Sequence, residues 1–300
     1  MATPTKTELS GFKKLTKSLR AVRHGTTRAT PPTLYHYTTS PGLLGIISSG
    51  YLRATNFSFL NDSSEVRYGL ELVMSRFDAE SREREENDRI SLILGVAGRV
   101  WMEEVANLAN TYVACFTEAR DDLNQWRGYG GAADRYCVGF DTTALASRVA
   151  HSFGPVVYDR KEQVAVIDEY FAEANRVLRQ LRRRPTEWLL VSAMKTLCQV
   201  MMEWTSFFKD PHFSSELEWR AVRNIQATSN SELEFDISGT SLRPFLRVFG
   251  KESERLPISE IVVQSARRDE RARKAVELLL SRCGYGETPV IESEVPFRVS

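Results

Sequence analysis

A chain of 300 residues and 34.1 kDa is long enough for one large domain or two ordinary ones. Hydrophobic residues at 42% and charged residues at 26% exclude a wholly disordered, collagen-like or membrane-embedded polymer. Forty Lys and Arg against 39 Asp and Glu leave +1, so no overall field directs the chain to nucleic acid or anionic lipid.

The charge is unevenly placed. The first 30 residues hold seven basic side chains (Lys6, Lys13, Lys14, Lys17, Arg20, Arg23, Arg28) and one acid, Glu8, a local +6. The other 270 carry 33 basic and 38 acidic side chains, or −5. This Ser/Thr-rich opening shares its composition with transit peptides and with solvated tails, and residues 1–32 are expected to be a mobile basic tail closed by Pro31 and Pro32. No signal-peptide core and no apolar run of roughly 18 residues is present, so a soluble, cytoplasmic chain without a membrane partner is expected. Cys115, Cys137, Cys198 and Cys283 form no CxxC pair and read as reduced, structural thiols.

Leu34 to Thr38 (LYHYT) reads as a first strand of β-favouring residues. Gly42 to Ser49 follows as a helix with an apolar face of Leu43, Leu44, Ile46 and Ile47, stopped by Gly50. Tyr51 to Thr55 is a second strand. A helical pattern starts at Ser63 and runs into the charge-dense stretch Asp78 to Arg89, whose alternating signs mark a solvated surface. Thr111 to Thr117 and Tyr136 to Phe140 are strands flanking a polar, Gly-rich loop. Lys161 to Arg184 and Glu187 to Phe208 read as an antiparallel helix pair broken at Pro185. Strands at Glu218 to Asn224, Pro244 to Phe249 and Ile258 to Gln264, a helix from Ala266 to Cys283 and a strand at Val290 to Phe297 complete the chain. Without a regular βαβ rhythm the class is α+β.

Common signatures are missing. There is no GxxxxGK[ST] loop, HExxH or GxSxG, and Gly128 to Gly131 precede a strand instead of following one, which excludes a dinucleotide fingerprint. The four histidines have no metal-ligand spacing, so no metal is expected.

Four polar clusters remain. In Tyr35-His36-Tyr37-Thr38, alternation sends His36 and Thr38 to one face and both tyrosines to the other. In Asn56 to Glu65, Asp62 or Ser63 can cap the next helix with Glu65 closing a capping box, while Asn61 is left without such a role. Trp126, Arg127 and Tyr129 stand among glycines, either presenting flat and cationic groups to an aromatic ring and a phosphate or, for Trp126, pinning the loop to the core. Glu216 and Glu218 start a strand; in extended chain their carboxylates share a face roughly 7 Å apart, and Arg220 beside them offers a structural salt-bridge ladder instead.

Taken in order, Leu-Tyr-His36-Tyr-Thr, Gly42-Leu-Leu-Gly-Ile-Ile-Ser-Ser-Gly50, Phe59-Leu-Asn61-Asp62-x-x-Glu65, Cys115-Phe116, Gln125-Trp126-Arg127-x-Tyr129 and Phe213-x-x-Glu216-x-Glu218-x-Arg220 resemble the bacterial family called domain of unknown function 2971. Ile291 to Arg298 looks like that family's closing segment, so the resemblance spans Leu34 to Arg298. More distantly, the order of parts is similar to ADP-ribosyltransferase folds. There a first-strand His or Arg holds the nicotinamide ribose, an aromatic residue stacks on nicotinamide, and a late Glu stabilises the cationic sugar. The resemblance implies His36 and Glu218 for the first and last roles, with Glu216 at the first acid of E-x-E. Arginine-directed members usually begin with Arg where this chain has His36.

The resulting expectation is residues 33–300 as a single α+β domain on an ADP-ribosyltransferase-like split mixed sheet, with helical insertions at Ser63 to Asn110 and Lys161 to Phe208. NAD would be the substrate. Glu218, Glu216 and His36 would be catalytic, and His36, Tyr37, Thr38, Asn61, Trp126, Arg127, Tyr129 and Arg220 would bind NAD. The acceptor would be protein, nucleic acid or water, as in a toxin or phage-defence effector. Expelling neutral nicotinamide from a cation needs no general acid, so one Glu suffices without a metal. The rivals are a non-catalytic nucleotide- or protein-binding module and a nucleic-acid-directed enzyme.

Overall fold

The computed structural model describes residues 5–21, 28–59, 64–83, 88–102, 110–128, 134–148, 152–180, 186–225, 231–238, 241–250, 254–265 and 270–296. In chain order the strands are β1 (Thr33–Thr39), β2 (Leu52–Asn56), β3 (Asn110–Thr117), β4 (Arg135–Asp141), β5 (Ser152–Pro155), β6 (Glu218–Ile225), β7 (Glu234–Ser238), β8 (Ser241–Val248), β9 (Ile258–Gln264) and β10 (Val290–Glu292). The helices are α1 (Lys6–Ala21), α2 (Ser40–Ser49), α3 (Ser64–Glu83), α4 (Arg89–Leu92), α5 (Leu123–Gly128), α6 (Thr142–Ala146), α7 (Arg160–Arg179), α8 (Glu187–Thr205) and α9 (Arg271–Arg282).

The fold is mixed α/β around a large open mixed sheet. β10-β9-β4-β1 forms one part and β3-β2-β8-β7 the other, with β6 also on β3 and β5 on β6. Of the described strand pairs, β9 with β10 is parallel and the rest are antiparallel. The two parts meet where Tyr35 pairs with Thr117, although β1 pairs with β4 over its whole length. On the same edge of β3, β2 takes Val113 and Tyr112. The sheet branches between these two contacts on β3.

Alternation decides which side chains go where. Leu34, Phe116, Trp219 and Ala221 enter one core with Ile46 and Ile47 of α2 and Val276 of α9. On the opposite face, Tyr35 and Tyr37 pack with Trp126, and Val113 and Val222 pack with Phe57 and Phe207. α2 stops at Gly50, whose φ of 70° is the left-handed cap that glycine adopts without strain.

A separate helical core joins α1, α3, α7 and α8 through Leu15, Leu19, Phe77, Phe171, Leu197 and Met201. Gly69 permits the α3–α8 approach, because a Cβ there would lie 2.6 Å from the Thr205 carbonyl oxygen. The expected mobile tail is therefore corrected over α1. Leu15 and Leu19 recur four residues apart on one helical face and are fully buried, while Phe12 meets Trp188 edge-on at 5.8 Å. Leu15→Ala is expected to lower the unfolding free energy by about 2–5 kcal/mol in urea titration, whereas in a solvated tail it would change nothing.

Two further expectations change. The loop carrying Trp126 is helical over Leu123–Gly128, because Asp122 Oδ1 accepts from the Asn124 and Gln125 amides and nucleates the turn. The final helix is assigned from Arg271, and residues 266–269 lie outside the described residues.

Candidate functional site

The branch in the sheet sets the site. Buried backbone carbonyls need partners, and between the β1 and β2 contacts on β3 a side chain supplies one: His36 Nδ1 lies 2.7 Å from the Cys115 carbonyl oxygen. A carbonyl only accepts, so Nδ1 carries the proton and Nε2 is the acceptor. The His36 ring packs on Phe116 at 5.8 Å. Burial lowers its pKa below 6.5, with the Cys115 bond opposing, so the imidazole is neutral at pH 7.

One strand further, Thr117 pairs with Glu218 and Cys115 with Arg220. β1 and β6 are thus separated by β3 alone, about 10 Å at the usual strand spacing. Glu218 is 6% exposed and Arg220 1% exposed. The guanidinium grips the carboxylate at both oxygens, Nε to Oε1 at 2.8 Å and Nη2 to Oε2 at 2.9 Å, and donates through Nη1 to the Ser206 carbonyl at 2.7 Å. Lys209 Nζ donates to Glu218 Oε2 at 3.1 Å and to Glu216 Oε2 at 2.6 Å. The Cys115 thiol also bonds Glu218. His36 and Glu218 thereby approach Cys115 from two sides, the imidazole at its carbonyl and the carboxylate at its thiol. Alternation places Glu218 and Arg220 on the face opposite Phe116 and Trp219, whereas His36 packs on Phe116, so the two residues expected to act together, His36 and Glu218, lie on opposite faces of the sheet.

The two glutamates converge differently from the extended arrangement expected. Pro211 to Glu216 form a 3-10 helix capped by Asp210, whose carboxylate accepts from the His212 amide. Leu217 then takes the left-handed conformation at φ 48°, costing about 1–2 kcal/mol, and turns the chain into β6. Glu216 keeps a side chain 33% exposed, and the two acids meet on one lysine instead of lying side by side on a strand. Backbone bonds fix the turn: Thr117 Oγ1 donates to the Glu216 carbonyl at 2.7 Å, and the Glu218 amide donates to Tyr158 Oη at 2.9 Å.

Burial alone pushes the Glu218 carboxyl upward, but the Arg220 guanidinium, with Lys209 and Cys115 adding to it, holds the pKa at about 2 against an ordinary 4.5. A depressed folded pKa stabilises above the unfolded value and is lost below it. Stability from this group is therefore full above about pH 4.5 and falls as pH drops towards 2, by about 3 kcal/mol. Urea unfolding at pH 7 and pH 3 is expected to show that slope in the wild type and a shallower one in Glu218→Gln. Tyr158 is pushed upward by burial first and then by the Glu218 charge, which keeps it a neutral phenol.

The other expected residues distribute differently. Trp126 is not an exposed stacking ring: it is fully buried, donates from Nε1 to Asp121 Oδ1 at 2.6 Å, and packs edge-on against Tyr37 at 4.6 Å. Tyr37 is likewise anchored, donating to the Ala119 carbonyl and accepting from the Asp122 amide. Thr38 is buried, and Arg127 is exposed at the end of α5. Asn61 and Tyr129, with the Asp62 and Ser63 cap, lie outside the described residues. Lys209 and Tyr158 were missed by sequence reasoning, and Cys115 was read as a structural thiol without a role at the site. Lys209 sits seven residues before Glu216 across a 3-10 turn, and its only sequence signal was a lone cation after an apolar helix.

Among the described residues, no group of three or more His, Cys, Asp or Glu side chains is placed to hold a metal ion, and no helix is long and apolar enough to cross a membrane.

Residues 125–221 match the model of a family described as a protein of unknown function, DUF2971. The matched segment contains Tyr158, Lys209, Glu216, Glu218 and Arg220, the charged side of the site. His36 and Cys115 precede it. No curated protein and no solved structure matches the chain.

Proposed function

We propose that the Glu218 face of β3 and β6 is a dinucleotide site at which the nicotinamide–ribose bond of NAD is cleaved, on an ADP-ribosyltransferase-like sheet. The observation that carries this reading is the buried, ionised Glu218 at the start of β6, held on the Val113 and Val222 face of the sheet by Arg220, Lys209 and the Cys115 thiol. His36 lies across the sheet and reaches this site only through its bond to the Cys115 carbonyl, so its role is to position Cys115. Glu218 supplies a carboxylate that stays charged throughout the physiological range, as stabilising a cationic sugar requires. Arg220 and Lys209 orient it and occupy its lone pairs, so a ribose hydroxyl must displace a donor. The Cys115 thiol is the weakest of them. Glu216, at the exposed rim, is the group nearest an incoming protein or nucleic-acid acceptor.

A second reading has one observation in its favour. Two glutamates against Lys209 and Arg220 make the cluster formally neutral, which suits a nucleotide- or protein-binding module that never develops a sugar cation. Incubating the purified chain with NAD and measuring nicotinamide release and NAD binding separates the two. Release in the wild type, reduced at least 100-fold in Glu218→Gln with binding retained, is the expected result. Binding without release favours the module, and neither binding nor release removes NAD from the account.

A further inference from the structure

The lysines of α1 all lie away from the helical core. At about 100° per residue, Lys6, Lys13 and Lys17 fall within roughly 40° of one another and Lys14 lies beside them, while Leu15, Leu19 and Phe12 occupy the opposite face. Lys6, Lys13, Lys14 and Lys17 are exposed, and none forms an ion pair with a described residue, although Lys14 lies close enough to Glu173 to help lower that carboxyl. Lys6 to Lys17 spans about 16 Å of helix. The docked apolar face holds this row rigidly, so its charge is presented as a surface.

We propose that this face of α1 is a docking surface for the phosphate backbone of a nucleic acid. Charge complementarity selects a polyanion. Two observations favour a nucleic acid over a bilayer. The apolar face an interfacial helix would insert into lipid is already buried against α7 and α8. The rest of the chain carries −5, and a broad anionic membrane would repel that body where a narrow duplex can meet the helix alone. Duplex DNA carries a phosphate charge about every 1.7 Å of axis, so each lysine in the row can meet one and release its counterion.

The test is fluorescence anisotropy of a fluorescein-labelled 20-base-pair DNA duplex titrated with the full chain between 50 and 200 mM KCl. Four contacts predict a slope of about −3.6 for the logarithm of the binding constant against that of salt concentration. The variant Lys6→Gln/Lys13→Gln/Lys14→Gln/Lys17→Gln is expected to bind at least tenfold more weakly at 50 mM KCl with a nearly flat slope. If that variant melts at a lower temperature than wild type, Lys13→Gln/Lys17→Gln replaces it, with the slope shallower by about 2. No duplex binding by the wild type, or the same affinity and slope in the variants, overturns the proposal. Lysine-dependent binding to vesicles containing 30% phosphatidylserine without duplex binding also overturns it, in favour of a membrane.

Discussion

Replacing Arg220 with alanine is expected to lower the unfolding free energy by about 3–5 kcal/mol, because it strands a buried carboxylate. Glu218 is then left with Lys209 and a thiol, and the Ser206 carbonyl loses its guanidinium donor. Arg220 also packs 5.5 Å above the Phe57 ring, so the substitution opens a cavity beneath β6 as well. Arg220→Ala/Glu218→Gln should recover part of the loss by removing the uncompensated charge. Urea titrations of the three proteins at pH 7 check this. A cost below about 1 kcal/mol for Arg220→Ala would mean that the pair behaves like an exposed ion pair.

The second large effect is at Trp126. Its ring is fully buried among Tyr35, Tyr37, Cys137 and Val262, so Trp126→Ala is expected to cost about 3–5 kcal/mol. Trp126→Phe should cost less, since it keeps most of the ring contact and Asp121 retains donors from Ser293 and the Glu294 amide. Thermal melts of both variants, with NAD affinity measured on Trp126→Phe, separate an anchor from a stacking ring. The anchor gives reduced stability with affinity unchanged.

Strand positions were legible because alternation is local: His36 packs on Phe116 on one face while Tyr35 and Tyr37 go to the other, as their periodicity indicated. Gly50 as a helix stop was equally local. The branch of the sheet was not legible, since it depends on β1 pairing fully with β4 and touching β3 at one residue, a long-range choice of partners. The Glu216 and Glu218 geometry was misread because a leucine in left-handed conformation carries no sequence signal where a glycine would. Trp126 stood in a glycine-rich stretch that reads as a loop, but the Asp122 carboxylate closes a helical turn and the ring turns inward. The basic opening shows the same limit. Net charge announced a tail, while the four-residue spacing of Leu15 and Leu19 determined the outcome.

The most direct measurement is a crystal structure of the wild-type chain with carba-NAD, whose glycosidic bond cannot be cleaved. The nicotinamide ribose is expected on the Glu218 face of β3 and β6, with a hydroxyl within about 3 Å of Glu218 that replaces the Cys115 thiol. Ligand bound elsewhere, with the Glu218, Arg220 and Lys209 bonds intact, would contradict that placement.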